Sequence, residues 1–289
     1  MEETLKANVQ KINKVYRFFS DEEHNFQGLA ESYLWFSEID KFNDPFEVVI
    51  NSEDFDFRQL SSAQLKAFLL SNKGITFGDP DTDNSYVIGD FSDEELGRFV
   101  VEQYHVLVNA LNVIVLEIIK QKQNNKFHCL VHDANIKPLE SRLMWSHYSN
   151  GLRGFVIEFD FDPVLTSIAH KSNDDFGGYT LINYTELGFT DYIKSVIDSG
   201  KPLFADRMLF SKHIDWKYEN ELRLICSNEK VFYDSSCISR IIIGQKMLPE
   251  KMNDLMRLLK SKGLQSKTYI TCFDRQDFSI NIKPYGDRV

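Results

Sequence analysis

Strand-type and helix-type stretches are segregated along this chain, and that order limits the fold more than any other feature. Alternating or β-branched runs occur early, at residues 14–19 and 33–37. They return through the second half, at 127–131, 155–160, 179–184, 218–226, 230–233, 238–243, 266–273 and 278–282. Between the two groups, Leu96, Phe99, Val100, Leu107, Ala110, Leu111, Ile114 and Ile118 recur at helical spacing and form a stripe wide enough for a central helix. Strict strand–helix–strand alternation is missing. The expectation is therefore an α+β fold: a mixed, mainly antiparallel sheet core with a helical insertion, not a doubly wound parallel sheet. No Pro- or Ser-rich linker and no internal repeat divides the chain. It reads as one domain over residues 1–289, with 55–123 as a helical insertion or lobe within it.

Local signals place further elements. Ser20 followed by Glu23 has capping-box spacing for a helix ending near residue 32, and Ser92 caps the longest helix. Helices are also expected at 61–70, 139–148, 190–197, 203–212 and 248–260, the last ended by Gly263. Residues 74–89, rich in Asp, Asn and Gly, form a loop. The 23 phenylalanines and 12 tyrosines suit an aromatic, β-rich core.

A formal charge of −10 argues against a protein that coats nucleic acid, while leaving room for a local basic pocket around a diphosphate. The four cysteines, Cys129, Cys226, Cys237 and Cys272, form no C-x-x-C pair. Free, buried thiols in a reducing compartment follow, and no zinc knuckle. The N-terminus has no apolar signal region. The longest apolar stretch, 106–119, is interrupted by Asn109, Asn112 and Glu117. A cytoplasmic protein with no membrane partner is expected.

Four segments hold groups able to do chemistry. In the stretch from Trp216 to Ile225, strand alternation puts Leu222 and Leu224 inward and Glu219, Glu221 and Arg223 on the other face. Two acids at i and i+2 are about 7 Å apart on such a face, a spacing that suits two roles at one sugar; a solvated, Arg-screened face is the plain alternative. Trp145, Ser146, His147 and Tyr148 gather a hydroxyl, an imidazole and two aromatic rings before a glycine turn, with His147 as a general base near neutral pH. Asn43 and Asp44 precede Pro45 in a turn able to order a ribose. Tyr16 and Arg17 sit on the first strand, where a guanidinium can grip a phosphate. Each of the last three is equally readable as a cap, a turn or a surface ion pair. His128 and His132 have i, i+4 spacing but lie in a strand-type run, so no metal is expected.

Together these segments resemble a bacterial family catalogued as domain of unknown function 2971. The resemblance rests on Tyr16-Arg17, Leu34-Trp-Phe-Ser37, Phe42-Asn-Asp-Pro-Phe-Glu47, Met144-Trp-Ser-His-Tyr148 with Gly154, Trp216 with Tyr218-Glu-Asn-Glu-Leu-Arg223, and Ile241-Ile-Ile-Gly244. The family's cysteine-plus-serine strand is kept only in part, by Cys129. More weakly, the order of an early Arg, a middle aromatic-Ser and a late Glu-x-Glu is similar to the ADP-ribosyltransferase layout. That resemblance implies Arg17 on the NAD phosphates, Ser146 in the nicotinamide pocket, Glu221 on the ribose hydroxyl and Glu219 orienting an acceptor. It implies NAD as substrate for transfer or glycohydrolysis, and an acceptor that is protein or nucleic acid, in a bacterial defence setting such as phage defence or a toxin system. The alternatives are a nucleotide-sensing module without turnover and a metal-dependent nuclease or hydrolase using Asp44, His147 and Glu158.

Overall fold

The structure is a computed structural model of the 289-residue chain. It describes residues 11–44, 56–77, 86–123, 125–173, 175–188 and 210–286, with Val9 and isolated positions between 191 and 198; in the long helix, side chains are described as far as Val113. The strands are β1 (Lys14–Phe19), β2 (Tyr33–Trp35), β3 (Thr76–Phe77), β4 (Tyr86–Val87), β5 (Lys126–His132), β6 (Phe155–Asp160) and β7 (Phe176–Leu181). They continue with β8 (Asn183–Thr185), β9 (Ser211–His213), β10 (Glu221–Cys226), β11 (Lys230–Phe232), β12 (Ile238–Ile243), β13 (Thr268–Phe273) and β14 (Ile280–Pro284). The helices are α1 (Glu23–Glu31), α2 (Ser62–Ser71), α3 (Asp93–Glu102), α4 (Tyr104–Gln123), α5 (Arg142–Tyr148), α6 (Phe161–Lys171) and α7 (Pro249–Ser261).

The fold is α+β, and the chain forms two compact units. One comprises Met1–Lys41, Asn125–Ile182 and Asp215–Val289; the other comprises Phe42–Asn124 and Asn183–Ile214. The second unit contains the helical stretch and has its own core, in which Leu65, Phe68 and Leu69 of α2 pack with Leu96 and Val100 of α3 and Leu107 and Leu111 of α4.

The first unit is built on an eight-stranded sheet in the order β14-β13-β12-β6-β1-β5-β10-β7. Its pairs are antiparallel except β12–β13, whose crossover contains α7. Along the inner strands both faces are largely buried. Val15, Leu130, Ile157, Leu222, Leu224 and Ile241 face Leu29 of α1, Ile168 of α6 and Leu255 and Leu259 of α7. Tyr16, Phe18, Val131, Val156 and Ile242 face Leu139, Met144 and Trp145 at α5.

The central strand β1 is paired unevenly. It matches β6 along its whole length, from Lys14–Asp160 to Phe19–Phe155, but matches β5 only at Val15–His132 and Tyr16–Val131. Beyond Tyr16 the two strands part. The Arg17 side chain reaches across, with Nη1 donating to the Cys129 carbonyl at 3.0 Å, and Phe127 pairs with Ser37 instead. At this same end of β1, a Cβ on Gly154 would lie 1.8 Å from the Phe19 carbonyl oxygen, so only glycine fits there.

Several expectations shift by local amounts. Helix α1 starts from Glu22, not Ser20, whose hydroxyl and carbonyl both accept from the Asn25 amide. Ser92 does form a capping box with Glu95, but its helix ends at Glu102; α4 is a second helix, and the hydroxyl of its first residue, Tyr104, donates to the Leu60 carbonyl at 2.6 Å. The helices expected at 190–197 and 203–212 lie largely outside the described residues, and Ser211–His213, at the end of the second, is a strand. Among the described residues no helix is long and apolar enough to cross a membrane.

Candidate functional site

The strand expected from Tyr218 to Cys226 begins only at Glu221; the residues before it, Ile214–Glu219, form a 3₁₀ turn. Asn220 makes the change. Its φ is 43°, a left-handed position that Asn tolerates better than most residues. Its side-chain Nδ2 lies 3.0 Å from His132 Nδ1 and donates to the carbonyls of His132 (2.7 Å) and Ala134 (3.2 Å). Its carbonyl accepts from the His132 amide at 3.0 Å. Glu219 therefore precedes the strand, while Glu221 and Arg223 alternate within it.

Both glutamates are nevertheless buried, each 3% exposed. Glu221 accepts from Arg223 Nε at 2.7 Å, and Arg223, also stacked over the Phe127 ring, is wholly buried. Glu219 Oε1 accepts from the Tyr148 hydroxyl. An unpaired carboxylate at such depth would be strongly disfavoured, and these partners hold the two acids in place.

The opposing wall is α5. Ser141 caps it by accepting from the Met144 amide at 3.3 Å, and Trp145 anchors it, with Nε1 donating to the Leu139 carbonyl at 2.8 Å and its ring edge-on to Phe18. Two residues on, His147 Nδ1 lies 2.8 Å from the Tyr218 hydroxyl, and Trp216 lies beside Tyr218 with ring centroids 6.0 Å apart. Two bonds, His147–Tyr218 and Tyr148–Glu219, thus join α5 to the turn that delivers the glutamates. His147 is exposed while the acids are buried.

His147, Tyr148, Glu219 and Glu221 are therefore gathered in one unit, and Tyr218, Asn220, Arg223 and His132 complete the arrangement. The other proposed residues lie elsewhere. Tyr16 is on the α5 face but bonded to Glu158, which also accepts from Arg240 Nε at 2.9 Å; burial and the Glu158 charge raise the Tyr16 hydroxyl well above the ordinary phenol range. Arg17 projects from the opposite face, over the Phe19 ring. Trp145 is core, and Ser146 is exposed on α5. Asn43, exposed, and Asp44, buried, belong to the second unit, and Pro45 to Glu47 lie outside the described residues. Among the described residues no group of three or more His, Cys, Asp or Glu side chains could hold a metal ion. Glu158 and Asp160 are each paired with a cation, Arg240 and Lys14. His128 and His132 are both buried in β5, where burial lowers their basicity to about 3 and about 4.

A family model described as "Protein of unknown function (DUF2971)" matches residues 144–224, the stretch that runs from α5 through the glutamate turn into β10. No curated protein and no solved structure matches the chain.

Proposed function

We propose, taking the match to a family of unknown function as the premise, that the first unit carries a site for transfer or hydrolysis at a nucleotide glycosidic bond, with NAD as the substrate. The observation behind this reading is the buried pair Glu219 and Glu221, each held by its own partner, together with His147, Tyr148 and Tyr218. Cleavage of a ribosyl bond builds oxocarbenium charge on the sugar, and a fixed carboxylate stabilises that charge. Glu221, paired with Arg223, takes that role. Glu219 orients an incoming acceptor or water, and His147 moves the proton. Tyr148 and Tyr218 supply ring faces for the base. The acceptor, if there is one besides water, is a protein or nucleic acid group. In this reading the chain is an ADP-ribosyltransferase-like enzyme of bacterial defence.

The test is incubation of the full chain with labelled NAD and measurement of free nicotinamide. Release is expected, with Glu221→Gln lowering it about 100-fold or more and His147→Ala by a similar factor. No release, or release unchanged in Glu221→Gln, would sink the proposal.

A second reading, nucleotide binding without turnover, loses the same phosphate contact, because Arg17 is not at the candidate site. The guanidinium expected to grip a diphosphate lies on the opposite face of the sheet and already donates to Cys129. Calorimetry that detects NAD binding while no nicotinamide appears would select this reading.

A further inference from the structure

We propose that a single hydroxyl-sized guest, an internal water in the free protein, sits between Arg17 and His128 where β1 and β5 part. Two buried nitrogen atoms there lack a partner: Arg17 Nε and His128 Nε2. They are complementary. His128 Nδ1 lies 2.8 Å from the Trp35 carbonyl, a contact that requires the ring proton on Nδ1. Nε2 is then a bare lone pair, an acceptor, while Arg17 Nε–H is a donor. A buried donor and a buried acceptor left empty are both costly, and one water satisfies both by accepting from Arg17 and donating to His128.

The surroundings agree. Arg17 and His128 belong to neighbouring strands and, by alternation, to the same face of the sheet, with Val15 and Leu130 as the flanking residues of that face. Burial first, and then the Arg17 charge, lower the basicity of His128, so the ring is neutral and its lone pair available. Main-chain pairing between β1 and β5 has lapsed at this level, leaving side chains to span the gap. The guest joins the two strands where their ladder no longer does. The charge of Glu221 also acts on His128, so the occupied position adjoins the electrostatics of the candidate site without depending on its chemistry.

The test uses the full chain with ¹⁵N-labelled histidine. The expected result is an Nε2 resonance of a hydrogen-bonded imine nitrogen, together with a cross-relaxation signal between a long-lived water and the His128 ring Hε1. Arg17→Lys keeps the positive charge but loses Nε–H, and it is expected to shorten the water's residence at least tenfold. An Nε2 resonance of an unbonded imine and no water signal would show the position to be dry and overturn the proposal. An undiminished water signal in Arg17→Lys would overturn the role of Arg17. The wild-type measurement decides the matter even where the variant does not fold, and it is independent of whether the chain acts on NAD.

Discussion

Asn220 separates two glutamates by adopting a left-handed φ, and the cost of that conformation predicts how substitutions there will rank. Asn220→Ala loses the clamp to His132 and Ala134 and forces a Cβ residue into the left-handed region, itself worth roughly 1–2 kcal/mol. Asn220→Gly loses the clamp but accepts the angle. Denaturant unfolding should therefore find Ala less stable than Gly by about 1 kcal/mol; equal midpoints would show that the angle is not under strain. Gly154→Ala should be more damaging than either, by about 3 kcal/mol, because the added methyl meets a backbone oxygen that cannot step aside. The buried histidines set a pH dependence. An unfolded histidine takes up a proton near 6.5, whereas His128 and His132 do so only at about 3 and about 4. Stability should thus be fullest above pH 6.5 and fall as pH drops towards 4, by up to about 1.4 kcal/mol per pH unit for each histidine. A urea midpoint unchanged between pH 7 and pH 5 would contradict this.

Elements that alternate cleanly were legible, and those settled by distant contacts were not. Strands β1, β6 and β12 start and end where their apolar patterns do. The end of α7 at Gly263, whose φ is 68°, was equally plain. The pattern Ser20-x-x-Glu23 looks like the boxes at Ser61 and Ser92, yet it opens no helix, because Asn25 occupies the Ser20 hydroxyl and carbonyl. The strand pattern from Tyr218 onwards concealed a break whose only local sign was an asparagine between two glutamates. Strand parity puts Arg17 and Tyr16 on opposite faces, although both were expected at one site. It could not say which face α5 covers, since that depends on contacts such as Phe18–Trp145. The link between α5 and the glutamate turn is open to test through Tyr148→Phe, which leaves Glu219 buried without its phenol partner. A loss of about 1–3 kcal/mol is expected, and Glu219→Gln combined with it should cost less than the two changes summed. Strict additivity would mean that the bond does not form in solution.

At the scale of the whole molecule, the residues that hold the candidate site and those of the helical core fall in separate units. The chain leaves the first unit after Lys41 and re-enters at Asn125, and Ser37 and Phe127, just inside those points, exchange two main-chain bonds of 2.9 and 2.8 Å. The two ends are thus already close. Replacing 42–124 with a short Gly-Ser linker should leave the eight-stranded sheet intact, read as slow amide exchange in β1, β6 and β12. Rapid exchange throughout those strands would show that the sheet needs the excursion to fold. Sheet order itself lay beyond reach of the sequence, because the neighbours of β1 come from residues more than a hundred positions downstream.

That wide separation bears on how the protein is made. A ribosome releases β1 well before either of its partners, so both edges of this strand must stay vacant until His132 and then Asp160 have emerged. At roughly 5–20 residues per second, this leaves a sticky, aromatic segment exposed for several seconds of synthesis. The middle of the finished sheet is therefore the part most in need of shelter at birth, and slowing translation between Phe19 and His132 should increase aggregation of the nascent chain.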